Sequence, residues 1–409
     1  MRISSQQIFT NGLNRLQDVN AQLNKTQQQI SSGRKFLSPS DDPVAAARVL
    51  QLDQLIAQNT QYQRNVDLAQ SRLEREEATL TDITRIIERV RELSVQAGNG
   101  SLSPADRATL SAELEERVEQ LANLMNTKDA SGEYIFSGFK GKQAAFEQNV
   151  SGNWVYKGDE GQRFLDIDVS VRVAISDNGK NLFVDVPSNQ PTFFTEAGPN
   201  NGGVPPAQIS TGMVVDQAAF NDFFPRDMVV TIEDVGAGNF EYVVTERQTG
   251  RELQRDAFVS GEPIEVRGIQ FEVIGSPVDG DQFFVKTSQK QGLLTTVEKL
   301  VYGLNNIPKT DDDGRAAYDA LIAESLENLD NALENILRVQ TQIGGRLNAV
   351  DSTREFLKDS SVFAEKTRSN LRDVDYTEAV SRLSFQSFVL EAAQLSYAQV
   401  SRLSLFDRL

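Results

Sequence analysis

The chain has 409 residues, with 58 acidic against 41 basic side chains, a net charge of −17 at pH 7, and neither cysteine nor histidine. Those absences remove disulfides, thiolate and imidazole metal sites, and every histidine-dependent nucleophile. The acidic balance argues against nucleic acid and against an anionic membrane surface as partners, while 39% hydrophobic and 24% charged residues suit a folded chain of two or three domains.

No stretch is long and apolar enough to span a membrane. Met1 to Ile30 lacks the apolar segment and small-residue cleavage site of a conventional secretory signal. Lack of cysteine fits a protein kept uncrosslinked during export, and fits compositional drift equally well.

Residues 3–32 read as a helix. Phe9, Leu16, Leu23 and Ile30 are seven apart, in a stretch with eleven Asn and Gln and few charges. So narrow a stripe makes a lone helix marginal in water. After Ser31-Ser32-Gly33, the segment Ser38-Pro39-Ser40-Asp41-Asp42-Pro43 predicts a turn and a new helix, with Asp42 as cap and Pro43 first.

That helix carries an apolar seam stepping by three and four: Leu52, Leu55, Asn59, Tyr62, Val66, Ala69, Leu73, Glu76, Leu80, Ile83, Ile87, Val90, Ser94 and Ala97. A mean period of 3.5 requires a helical partner along the whole seam, roughly 70 Å at 1.5 Å per residue. Gly98-Asn99-Gly100 ends it. Ser103 and Asp106 then predict a capping box, opening a helix with Leu110, Leu114, Val118, Leu121 and Met125 on its buried face.

Glu133-Tyr134-Ile135-Phe136-Ser137-Gly138-Phe139 reads as a short aromatic strand. Residues 146–287 alternate with period two. Leu165, Ile167, Val169, Val171, Val173 and Ile175 predict one strand. Val230 and Ile232 with Phe240, Tyr242 and Val244 predict a hairpin around Gly236-Ala237-Gly238. Ile264 and Val266 with Ile269, Phe271 and Val273 predict another. Pro187, Pro191, Pro199, Pro205 and Pro206 mark a long loop, or a linker between two β subdomains.

Helix returns over 293–304. A second seam then runs through Tyr318, Ile322, Ser325, Leu329, Ala332, Ile336, Val339, Ile343, Arg346, Val350, Thr353, Leu357, Ser360, Ala364, Thr367 and Leu371. Gly344-Gly345 inside it reads either as a kink or as a close helix approach. The last helix, from Tyr376 to about Leu405, is apolar on two sides and needs partners over much of its circumference. The fold class expected is α+β: a long antiparallel coiled-coil rod built from both chain ends, with an inserted all-β outer domain.

Catalytic and cofactor motifs do not emerge. Asp311-Asp312-Asp313-Gly314 lacks calcium-loop spacing and reads as a helix cap. Gly236-x-Gly238 precedes a strand and reads as a hairpin turn rather than a phosphate loop. Asp166 and Asp168 sit on a solvated strand face. Carboxylates alone suffice for a glycosidase, but nothing positive points to one. No catalytic, cofactor or metal site is assigned.

Ser31-Ser32-Gly33-Arg34-Lys35 with Ser38–Ala47, the segment Ile343–Thr353, and the tail Leu390–Gln394 with Ser401–Leu405 resemble the flagellin superfamily at both ends of the chain. Glu133–Gly138 resembles more narrowly the branch found between hook and filament. The resemblance implies a structural, non-enzymatic role in the bacterial flagellum, outside the cell, after unfolded passage through the flagellar type III export apparatus with an export chaperone. It implies hook-associated protein 1 and flagellin as neighbours and self-contact in a ring-like layer. The alternative is flagellin itself, which shares both ends.

Three domains are expected: a terminal core (1–40 with 372–409), a helical rod (41–145 with 288–371) and a β-rich outer domain (146–287, with a possible division near 187–225). The expected assembly interface is Phe9, Leu16, Leu23 and Ile30 with Val380, Leu383, Leu390, Tyr397, Val400 and Leu403.

Overall fold

A computed structural model describes residues 5–100, 102–236, 238–309 and 312–406. The side chains of residues 5, 6, 8, 9 and 400–406 lie outside the description, so Phe9, Val400 and Leu403 are placed by backbone only. Asp311 and Ala237, expected in a cap and a hairpin turn, also lie outside the described residues. The chain divides into two compact units, Met1–Asn65 with Ser352–Leu409, and Val66–Asp351. Helices α1 (Ser5–Ser32) and α7 (Tyr376–Phe406) belong to the first. Helices α2 (Pro43–Ala97) and α6 (Asp312–Arg372) contribute to both.

In the first unit α1 packs against α7. A Cβ on Gly12 would lie 3.2 Å from the Tyr397 ring, and one on Gly33 would lie 3.2 Å from the Tyr376 hydroxyl. These two contacts fix an antiparallel register, closed by a bridge between Arg34 and Asp373. The seam residues of α2 and α6 also meet antiparallel here. Asn59 Nδ2 donates to Ser360 Oγ at 3.1 Å and to Ser361 Oγ at 3.3 Å, and Arg368 pairs with Asp53 at 3.0 Å.

The second unit repeats that pairing. Tyr318 donates its hydroxyl to the Ala97 carbonyl at 2.8 Å, and Arg91 meets Asp330 at 2.8 Å. From Val66 to Ala97 and from Tyr318 to Ile343 the seam positions are buried without exception. Two of its polar members are bonded: Ser94 donates to the Val90 carbonyl at 2.7 Å, and Glu76 accepts from the Asp177 N–H at 3.1 Å. Gly344-Gly345 produces neither expected effect. The helix continues through the pair, and a Cβ on either glycine would meet nothing within 4 Å.

Helix α3 (Pro104–Met125) starts with the expected capping box between Ser103 and Asp106 and buries the expected face. It packs on α5 (Leu293–Asn306), where Asn305 Nδ2 donates to Ser111 Oγ at 2.9 Å.

Between α3 and α5 lie thirteen described strands. Short hairpins come first: β1 (Phe146–Gln148) with β2 (Trp154–Tyr156), and β3 (Phe164–Asp166) with β4 (Arg172–Ala174). The single strand expected over 165–175 is therefore a hairpin. Ile167 N–H turns back to the Val171 carbonyl at 2.9 Å, which leaves Val169 exposed at the tip. Glu133–Phe139 is also not a strand. Only Tyr134 bridges, to Lys128, and Gly138 turns the chain at φ +69°.

A five-stranded antiparallel sheet follows, in the order β10 (Glu252–Ala257), β9 (Asn239–Glu246), β8 (Met228–Gly236), β13 (Gln282–Lys290), β5 (Pro187–Ala197). The expected long loop is thus in part an eleven-residue strand. Its prolines are tolerated because β5 is an edge strand, and Pro191 falls where the ladder is irregular. A second sheet sets β11 (Pro263–Val266) and β6 (Gln208–Ile209) beside β12 (Ile269–Ile274), with β7 (Met213–Val214) also paired to β12. Both expected hairpins, β8–β9 and β11–β12, are present. Helix α4 (Gln217–Phe223), capped by Asp216, adds Phe220 and Phe223. Phe193, Ile209, Phe220, Val230, Val244, Ile264 and Phe271 share one core, so residues 187–225 are part of that packing rather than a spacer.

Candidate assembly interface

The first unit carries the expected contact residues. Leu16, Leu23 and Ile30 are half-buried on α1, and Leu383, Leu390 and Tyr397 are half-buried on α7. The pairing of α1 with α7 brings these two sets onto facing sides of one hairpin. Val380 does not join them and stays 49% exposed.

The residues of a second exposed surface were not named from the sequence. On α7, Phe385, Phe388 and Leu395 are 67%, 68% and 63% exposed. They step by three and seven, two residues out of phase with Leu383 and Leu390, which places them on the far side of the helix. Within α6, Phe356 and Phe363 are also exposed, one residue ahead of the buried Leu357 and Ala364. The spacing was available as a signal. The sequence marks this helix as apolar on two sides, but heptad spacing does not single out Phe385, Phe388 and Leu395.

The Ser38–Pro43 turn is organised by a carboxylate. Asp41 Oδ2 accepts the N–H groups of Leu37 and Ser38 at 3.0 and 3.1 Å, while Oδ1 meets Lys25 Nζ at 2.7 Å. The Lys25 hydrogen bond, then the two backbone donors, hold the Asp41 carboxyl far below the usual carboxylate range. Asp42 accepts from the Ala45 N–H at 2.9 Å and caps α2 as its sequence predicts. Beside this turn lies a groove of about 570 Å³ lined by Phe36, Leu37, Pro43, Val49 and Leu50, with Arg34 and Arg372 also at its wall.

The Glu133–Gly138 motif has a structural use in the second unit. Arg163 and Arg72 (3.3 Å) both reach the Glu133 carboxylate, and Arg72 also meets Asp129 at 3.0 Å. Hydrogen bonding from Arg163 is the largest cause of the lowered Glu133 pKa. The motif therefore ties α2 to the β3–β4 segment. Gly138 closes it because a Cβ would fall 2.2 Å from Asp159 Oδ1 and 2.5 Å from the Asp159 carbonyl.

Comparison with known proteins bears on what these surfaces serve. The bacterial flagellin N-terminal helical region matches residues 3–140, and the C-terminal helical region matches residues 326–407. The crystal structure of flagellar hook-associated protein 3 from Legionella pneumophila is 31% identical, with 79% of this chain and 98% of that chain covered and a TM-score of 0.54.

The chain belongs to the flagellar hook-associated protein 3 family.

A second Legionella pneumophila structure, described as the flagellar junction protein, is 32% identical over 80% of this chain and 100% of that one, at a TM-score of 0.51. Flagellar hook-associated protein 3 of Salmonella typhimurium is 26% identical over 407 residues, covering 100% of this chain and 99% of its own length. As a hook-associated protein 3 family member, this chain is a flagellar protein. Among the described residues, no helix is long and apolar enough to cross a membrane.

Proposed function

We propose that this chain is the adaptor joining hook to filament, a structural and non-catalytic subunit of the bacterial flagellum. Family membership supports this reading over bulk flagellin. The observation that carries it is the double-sided α7 helix. One side is used within the monomer against α1, and the other leaves Phe385, Phe388 and Leu395 uncovered. Burial of each such side chain against a neighbour is worth about 1.5–3 kcal/mol.

In this reading, hook-associated protein 1 lies on one side, flagellin on the other, and copies of the same chain complete a ring-like layer. The subunit leaves the cell unfolded through the flagellar type III apparatus, with an export chaperone. Residues 1–40 with 372–409 form an inner core, 41–145 with 288–371 a rod, and 146–287 an outer domain. Leu16, Leu23, Ile30, Leu383, Leu390 and Tyr397 then order the terminal hairpin, and Phe9, Val380, Val400 and Leu403 extend the interface.

Labelled antibody along intact flagella tests the assignment. A single band at the hook end is the expected result, and labelling along the entire filament would promote the flagellin alternative.

A further inference from the structure

The first unit carries two exposed apolar surfaces on one molecule, and they differ in charge. The groove beside the Ser38–Pro43 turn includes Leu37 and Leu50, both exposed. The carboxylates of this segment are all engaged: Asp41 by Lys25 at 2.7 Å, Asp42 by the Ala45 N–H at 2.9 Å and Asp53 by Arg368 at 3.0 Å. Arg372 on the groove wall is paired with Asp373 at 2.9 Å. Arg34 on the same wall is exposed, as are Lys35 and Arg48 nearby in the chain, and among the described residues no ion pair engages any of the three. An apolar floor thus has a basic rim, in a chain whose net charge is −17.

The exposed side of α7 has the complementary make-up. Glu391 lies three residues after Phe388 and four before Leu395, so the three form one row along the helix. Glu391 is exposed and no ion pair engages it among the described residues, whereas Glu378, nearer the start of α7, is taken by Arg382. A row of apolar, acidic and apolar side chains suits an apolar groove with a guanidinium at its wall. In α6 the row Phe356, Asp359 and Phe363 is a rival, but the exposed Lys358 and Lys366 beside it offset its acid. The α7 row does not reach the groove of its own copy. Tyr376 lies against Gly33, at the groove end of the hairpin, and Phe388 is roughly 18 Å further along the helix.

We propose that a second copy of this chain seats the Phe388–Glu391–Leu395 row of its α7 in the Arg34–Leu50 groove, with Glu391 paired to Arg34. This rests on the adaptor reading and names the partner of the helix side left uncovered there. The two surfaces differ, so the contact is heterologous. Each copy offers a groove to one neighbour and a helix to the other, an arrangement that closes into a ring when the rotation between copies allows it.

Charge exchange in flagellated cells tests the pairing. Arg34→Glu and Glu391→Arg should each lower the amount of this subunit in isolated flagella about tenfold, because each sets like charges against one another. The double variant restores the pair in reverse and should recover most of the loss. The chain has no cysteine, so Leu37→Cys combined with Phe388→Cys gives an independent reading. Oxidation of assembled flagella with copper phenanthroline should join these subunits covalently, which disulfide geometry permits only for side chains in close approach. Normal incorporation of both single variants, no recovery in the double, or no cross-linked product overturns the proposal. So does cross-linking of Leu37→Cys to Phe356→Cys in place of Phe388→Cys, which gives the groove to α6. In all these outcomes the parent chain still labels as a band at the hook end; absence of that band refutes the adaptor reading instead.

Discussion

Arg346 grips the Asp177 carboxylate with both terminal nitrogens, at 2.6 and 3.2 Å. Arg346 is the one basic residue of the second helical seam, and the backbone N–H of the same Asp177 donates to Glu76, the one acid of the first. The two charged interruptions of the coiled coil thus converge on one residue of the β-bearing segment. Burial, and then the Asp177 charge, raise the Glu76 pKa, while Arg346 opposes both.

Breaking this triad is expected to cost more than any surface ion pair. Arg346→Met leaves two carboxylates facing each other in a largely buried site. The expected loss is roughly 3–5 kcal/mol in urea unfolding. Lys286→Met, which removes an exposed pair with Glu196, is expected to cost under about 1 kcal/mol. Equal losses from the two variants would contradict the buried-triad account.

Glu298 predicts a pH dependence with a definite sign. Its folded pKa of about 7 lies above the unfolded carboxylate value of about 4.3. The folded state therefore binds the proton more tightly. The stability this contributes is complete below about pH 4 and is lost as pH rises through 7. Glu298→Gln keeps an acceptor for the Trp154 N–H and abolishes the dependence. Urea midpoints from pH 5 to pH 8 should fall for the parent chain relative to the variant.

Asp41 predicts the opposite sign. Its folded pKa is depressed, so its contribution is present above about pH 4 and disappears as pH drops through the folded value. Asp41→Ala should speed hydrogen exchange at Leu37 and Ser38, the two N–H groups the carboxylate accepts. Exchange rates unchanged at both amides would remove Asp41 from the turn.

The two sides of α7 separate folding from assembly. Phe388→Ser, on the exposed side, is expected to leave monomer unfolding within about 0.5 kcal/mol of the parent yet to reduce incorporation into flagella. Leu390→Glu, half-buried against α1, should loosen the terminal hairpin as well, seen as lost helical ellipticity. Normal motility in cells carrying Phe388→Ser would argue that nothing covers that side.

Gly345→Ala should stabilise the monomer by about 1 kcal/mol, since the helix is continuous there and the new methyl meets open space. A destabilised variant would point to a distortion absent from this structure.

Both helical seams and the caps of α2 and α3 were legible in the sequence, because period and capping are local signals that neighbouring residues confirm. The seams even marked their own exceptions: Asn59, Glu76 and Ser94 each have a bonded partner. What local reading lost depends on distant pairing. Strand β5 looked like a loop because Pro187 and Pro191 suggest breaks, and only its place at the sheet edge removes that objection. The 165–175 run alternates well enough for one strand, yet the chain reverses within it. Glu298 and Trp154 gave no signal, since 144 residues separate the two ends of their hydrogen bond. The apolar reading of the last helix covered two sides, but heptad spacing did not single out Phe385, Phe388 and Leu395, whose exposure depends on which side α1 covers.

The pairing of Gly12 with Tyr397 has a consequence for the order of folding. The two ends of the α1–α7 hairpin stand almost the whole chain apart, whereas β8 and β9 pair with their nearest sequence neighbours, Gly236 opposite Asn239. Closing a loop that long carries the largest entropic penalty in the molecule, and it is repaid only after α1 and α7 are both present. If the chain is delivered end first, its leading helix must wait without a partner until the trailing one arrives. The sheets can form during that interval, so the terminal hairpin is the last joint to close.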